Sequence, residues 1–495
     1  MIFSSPTFLY YFLPITMIVY FLTPMPRGSP RLRNLTLLVA SLVFYAWGEP
    51  IYVLLMIAQC LVAWGFSFLI NKYRNQKAAA RAVMIISVIV ILSALLFFKY
   101  ANFFINIINS ISRWDLKLIS LALPIGISFY TFQFISYTVD LYKGKIELQR
   151  NLLDFSTYVA LFPQLVAGPI VRYSDINIEL GKREHTISRF AIGARRFVVG
   201  LGKKMLLANT FGELVAIYKQ SGDQSVLFTW IYLVAYSLQI YFDFSGYSDM
   251  AIGLGHFFGF KFPENFNYPY IADSITNFWR RWHMSLSGWF RDYIYIPMGG
   301  NRVKALRFVL NILVVWMLTG FWHGADWNFI FWGAYFGLVL LIEKFFLSKV
   351  LEKTPKPLRH IYVMLIIFIS WAFFDTDGFN VEAIVFAFKG LFGGRHSVTI
   401  PKVVVVVGSS IGRMFGFGAS GFAGREALYY LRSYAVPIVI GILGATPYMR
   451  RLGERVCTKR FLGTVLEPVA LGLILVATTA SMVEGSFNPF IYFRF

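Results

Sequence analysis

The sequence predicts an all-α, polytopic membrane protein, and three observations carry that prediction. First, 57% of the 495 residues are hydrophobic and the mean hydropathy is +0.61, well above the roughly 45–50% apolar share of soluble domains. Second, apolar runs near the length of about 20 residues that crosses a bilayer as a helix recur along the chain, separated by short polar connections. Third, the formal charge of +21 is not spread evenly. Basic residues gather at Arg27–Arg33, Lys72–Arg81, Lys143–Arg150, Lys182–Lys204, Arg280–Arg307, Lys344–Arg359 and Arg450–Arg460, each beside an apolar run. That is the distribution that orients membrane spans, so a nucleic-acid surface is not expected. Membrane lipids are the expected surroundings.

Taken in order, the first apolar stretch has no charge before Arg27 and so lacks the basic leader of a cleavable signal; it is expected to stay as a membrane segment. Residues 34–71 carry only Glu49, and Gly48-Glu49-Pro50 reads as a turn between two spans, which puts the N-terminus outside. Spans near 83–98 and 118–140 follow, with Lys99–Lys117 in an outer connection. The stretch 151–171 is flanked by basic groups on both sides and broken by Pro163, Gly168 and Pro169, which suits a re-entrant or interfacial segment packed against protein. Further apolar stretches lie near 205–218, 226–242, 308–342, 360–374, 402–417, 429–447 and 462–482. Together these give about 11 to 13 membrane segments, broken and re-entrant pieces included. We expect one integral membrane domain over residues 1–495, with N-terminal spans to 150, a core over 151–350 and C-terminal spans over 351–495. No internal repeat marks an inverted-repeat transporter.

Cys60 and Cys457 make neither a metal spacing nor a disulfide framework. The chain also lacks a phosphate-binding glycine loop and a dinucleotide fingerprint, so no bound cofactor or metal is expected.

The segment "MLTGFWHGADWNFIFWGAYFG", residues 317–337, holds His323 and Asp326 in a run from Phe308 to Ile342 that has no other acidic or basic residue. Its 35 residues would reach about 52 Å as one helix, too long for a single upright span, so the run must bend or break. A hairpin with arms of about 15 residues is one solution. An ionisable group at that depth faces a bundle interior or a wet cavity and is a functional candidate by default. Asp326 stands where it would either orient the imidazole or cap a restarting helix.

Two other polar groups stand out. "NFWRRWHMSLSGWFRDYIYIPMGGNR", residues 277–302, reads as an amphipathic surface helix with Trp279, Trp282, Leu286 and Phe290 on one face and Arg280, His283, Ser287 and Arg291 on another. Arg280, Arg281, Arg291, Asn301 and Arg302 are candidates for holding an anionic ligand, and His283 for lining a route to His323. "YFDFSGYSDM", residues 241–250, places Asp243 and Asp249 among aromatics, where they need partners such as Arg280 or Arg281.

These residues, with "FPQLVAGPIVRY", "LPIGISFYTFQFISYTVDLYKG" and the terminal "NPFIYFRF", resemble the membrane-bound O-acyltransferases of the bacterial alginate O-acetyltransferase type over nearly the whole chain. The resemblance implies helices ringing a funnelled core in the bacterial inner membrane. It implies an essential intramembrane histidine at His323 and a second signature position at His283. It also implies acetyl transfer from a cytoplasmic donor, acetyl-CoA or an equivalent, toward an extracytoplasmic polysaccharide, with a periplasmic or secreted acetyltransferase as partner. In that framework His323 is a general base or the acetylated intermediate, and His283, Asn328 or a backbone N–H is the candidate oxyanion donor. Asp375 departs from the type, in which many relatives carry Arg after the Phe-Phe pair. The alternatives are a D-alanyl-transfer relative fed by a carrier protein and, in a different class, a proton-coupled transporter using His323 and Asp326.

Overall fold

The computed structural model describes residues 1–112, 114–375, 411–457 and 460–484, and among these the regular structure is helical, with no strand. The shorter apolar helices α1 (Leu13–Leu22) and α2 (Arg31–Ala46) lead into α3 (Tyr52–Lys72) and α4 (Lys77–Leu95). One π-helical turn, Leu96–Tyr100, joins α4 to α5 (Ala101–Ile111). Then come α6 (Ile127–Tyr142), α7 (Leu152–Ala160), the single turn α8 (Phe162–Leu165), α9 (Tyr173–Gly181), α10 (Ile187–Gly202) and α11 (Asn209–Gln220). The 32-residue α12 (Val226–Phe257) is buried over most of its length. Short α13 (Ile275–Trp279) and α14 (Met284–Phe290) precede the antiparallel pair α15 (Ala305–His323) and α16 (Trp327–Ile342), followed by α17 (Ser348–Lys353) and α18 (Lys356–Phe374).

Among the described residues six helices are long and apolar enough to cross a membrane, or seven if the bent pair Arg425–Ser433 and Ala435–Gly444 is one span. Shorter and broken helices fill the space between them. The stretch 161–171 is wholly buried, with α8 and an irregular run lodged against protein, where its freed backbone groups find partners. "VVVVV" at 403–407, His396 and "NPFIYFRF" lie outside the described residues.

Two expectations about this frame give way. The 308–342 run does form a hairpin, but its arms are longer than expected. α15 has 19 residues and the second arm runs on to Lys353 for 27, because both helices continue through their basic ends. Lys99 does not begin an outer connection either. Helix continues through it to Ile111, and the π turn sends its side chain inward.

The buried aromatics form two cores. One contains Phe129, Phe132, Phe244, Trp289 and Trp322. The other contains Tyr241, Trp279, Trp282, Trp332, Trp371 and Phe374. Both histidines of interest lie on the seam between them.

Candidate active site

His323 is the last residue of α15 and is 4% exposed. The chain then extends at Gly324 (φ −165°), and Asp326 caps α16 by accepting a hydrogen bond from the Trp327 N–H at 2.6 Å. Asn328, in the first turn of α16, is buried. Glycines let the two arms touch backbone to backbone. A Cβ at Gly320 would sit 2.0 Å from the Phe329 carbonyl oxygen, and one at Gly333 would sit 2.2 Å from that of Trp316.

His283 is 1% exposed and occupies the left-handed region at φ 44°. That conformation breaks the single amphipathic helix expected over 277–302 into α13 and α14, and it turns His283 inward, away from exposed Arg280. Periodicity does not register one residue's change of backbone region. The local strain is held by hydrogen bonds. Backbone bonds Asn267 N–H to Arg281 O and Met284 N–H to Asn265 O, both 2.9 Å, lace the two sides together. The Asn265 side-chain nitrogen donates to Gly168 O at 3.4 Å and Ser248 Oγ at 3.1 Å, so its oxygen faces the imidazole, 3.0 Å from Nδ1. Nδ1 therefore carries the proton, and Nε2 keeps the lone pair. Ser285 reinforces this arrangement by donating to the same Asn265 oxygen at 2.8 Å while accepting from Ile170 N–H at 3.0 Å.

The indole of Trp322 stands beside both rings, with centroids 5.9 Å from His283 and 4.9 Å from His323. Trp332 at 5.3 Å and Phe374 at 5.4 Å complete the wall around His323, and Phe244 at 4.7 Å packs on His283. A cation that the sequence places in an outer connection, not at the site, joins this group. Lys99 Nζ donates to the Trp322 carbonyl at 2.5 Å and lies 5.8 Å from its ring centroid. Its position between apolar runs was the available signal, but it reads equally well as the end of a span.

The arginines proposed as ligand holders do not converge. Arg280 and Arg302 are exposed, as is Asn301. Arg281 donates to Asn277 Oδ1 at 2.9 Å and Asn267 O at 3.1 Å, and Arg291 pairs with Asp292, which also binds Arg172 at 2.7 Å. Nor do Arg280 and Arg281 neutralise the α12 carboxylates. Asp243 pairs with Lys204 at 2.7 Å, and Asp249 with Arg196 at 2.9 Å and Lys203 at 2.6 Å, because α10 and the π turn after it run along α12. Buried Glu343 accepts from the Ile275 and Thr276 N–H groups at 2.7 and 2.9 Å, fixing the start of α13. Asp375 binds Lys219 at 2.7 Å and Tyr232 at 2.5 Å.

Residues 148–376 match the model of MBOAT, the membrane-bound O-acyltransferase family, and both histidines lie inside that match. Along its full length the chain is 36% identical to the whole of a probable alginate O-acetylase of Azotobacter vinelandii. The chain belongs to the membrane-bound O-acyltransferase family. Two further members show its range. A probable alginate O-acetylase of Pseudomonas aeruginosa is 42% identical over 77% of this chain and 73% of its own, and a peptidoglycan O-acetyltransferase of Helicobacter pylori is 34% identical over 79% and 80%. Family membership and the candidate spans make this chain a multi-pass membrane O-acyltransferase.

Proposed function

We propose that this O-acyltransferase moves an acetyl group from a cytoplasmic thioester, acetyl-CoA or an equivalent donor, toward an extracytoplasmic polysaccharide. A separate periplasmic or secreted acetyltransferase completes the modification. The names of the relatives, two on alginate and one on peptidoglycan, support a glycan acceptor. Physical chemistry supports the division of labour. A polyanionic coenzyme does not cross hydrocarbon, whereas a small neutral acetyl group passes through protein.

The observation that carries the reading is that two buried imidazoles, His323 at the tip of the α15–α16 hairpin and His283 at the break between α13 and α14, stand beside one indole, Trp322. In this reading His323 takes the proton of the acceptor hydroxyl as its oxygen attacks the thioester carbonyl. The C–S bond breaks, and the departing thiolate accepts a proton. The variant route has His323 receive the acetyl group first. Hydrogen-bonded by Asn265, His283 offers its Nε2 lone pair as a relay for that proton; Asn328 and the backbone at Gly324 are candidates to hold the oxyanion. Aromatic walls of Trp322, Trp332 and Phe374 exclude water, and they must part to admit substrate.

The test is His323→Ala in cells that acetylate their polymer through this chain. Polymer acetyl content should fall to background with membrane abundance unchanged, and retained acetylation would overturn the assignment.

A further inference from the structure

Outside the matched family segment, the π turn between α4 and α5 does something that none of the assigned roles covers. The last carbonyls of a helix have no partner within it. At the end of α15 two successive ones are held from another element: Tyr100 Oη donates to Phe321 O at 3.0 Å, and Lys99 Nζ to Trp322 O at 2.5 Å. The Tyr100 ring also stacks on Phe321 with centroids 4.2 Å apart. Two adjacent side chains thus grip the two residues immediately before His323. Both side chains issue from the π turn, a backbone form that recurs at functional sites, and each reaches its own carbonyl of the pair.

Lys99 has no carboxylate in ion-pairing range among the described residues, and its ammonium lies 5.9 Å from the Tyr100 ring centroid and 5.8 Å from that of Trp322. A cation placed within a candidate span without a counter-ion is costly. A charge-assisted hydrogen bond to a helix C-terminus, the negative end of its dipole, offsets part of that cost.

We propose that Lys99 is a positioning residue for acyl transfer, clamping the Trp322 carbonyl so that the end of α15 presents the His323 ring at one fixed place. The inference rests on His323 being the working imidazole. Tyr100 is the auxiliary half of the clamp.

The experiment uses the full-length enzyme in detergent or liposomes, with kcat, donor KM and melting temperature measured together. Lys99→Met keeps the length and removes charge and donor. It should lower kcat about 100-fold, the scale of an ångström misplacement, with donor KM within twofold and melting unchanged. Lys99→Arg, which keeps both, should regain at least a tenth of wild-type kcat. Wild-type kcat in Lys99→Met, a loss accounted for entirely by unfolded protein, or an Arg variant as slow as Met would each overturn the proposal. His323→Ala run alongside separates the two readings. If it too stays active, the acyl-transfer site itself is misplaced; if it is dead while Lys99→Met is normal, only the clamp fails.

Discussion

Gly320→Ala should disable the enzyme without removing any candidate catalytic group. The added methyl carbon would lie 2.0 Å from Phe329 O, 3.0 Å from the carbonyl carbon and 3.1 Å from Gly333 N, whereas ordinary contact begins at 3.4 Å. All three atoms are backbone, so no side chain can swing away. α15 must move from α16 by more than about 1 Å, and because His323 lies one turn beyond Gly320 it moves too; a misplacement of that size costs about 100-fold in rate. Overpacking of this kind costs about 1–3 kcal/mol of stability, so folded protein should still be recovered. Gly337→Ala is the graded control, since its methyl meets Leu313 Cδ2 at 3.1 Å and Trp316 Cβ at 3.4 Å, and Gly65→Ala the neutral one, with nothing within 4 Å. The assay is acetyl transfer per mole of folded, detergent-purified enzyme. A Gly320→Ala protein that melts and turns over like wild type would refute the argument that this backbone contact sets the histidine's place.

Asn265→Ala removes the acceptor that fixes the His283 proton on Nδ1, along with two donors. It should cost about 1–3 kcal/mol and most of the activity, read from melting curves and turnover; Asn265→Ala with wild-type turnover would separate His283 from the chemistry. His185, in the connection before α10, is pushed down to about 4, first by burial and then by Arg33 and Arg183. Its Nε2 lies 2.9 Å from Tyr20 Oη, which also donates to Phe258 O at 3.1 Å. Its folded value lies below its unfolded one, so neutral His185 contributes stability that is fully present above about pH 6.5 and lost as pH falls toward 4. Melting temperature should drop through that window, and His185→Gln should flatten the drop; an unchanged slope would remove His185 as its cause.

Much of the frame was legible because membrane physics writes strongly on sequence. His323 stood out as an ionisable group in a run too long for one span, and Gly48-Glu49-Pro50 and Gly168-Pro169 fall in breaks between helices. The cap formed by Asp326 was among the alternatives that its position allowed. What stayed hidden depends on tertiary pairing or on a single backbone angle. The preference of Asp243 for Lys204 over Arg280 is set by how α10 and its π turn lie along α12, which no local pattern reports. The inward turn of His283 hangs on φ 44° and on Asn265, a residue in an irregular stretch with no periodicity to mark it. Lys99 was misread because an apolar run ending in lysine looks like a span leaving the bilayer, and only the structure brings it against Trp322.

The central claim is that an acyl group passes through the site at His323 from one side of the membrane to the other. The direct measurement seals purified enzyme, together with the proposed partner transferase, in liposomes loaded with labelled acetyl-CoA, supplies glycan acceptor outside, and follows label appearing on the acceptor. The account predicts transfer by wild type and none above the empty-liposome background by His323→Ala. Equal transfer by both proteins would contradict it.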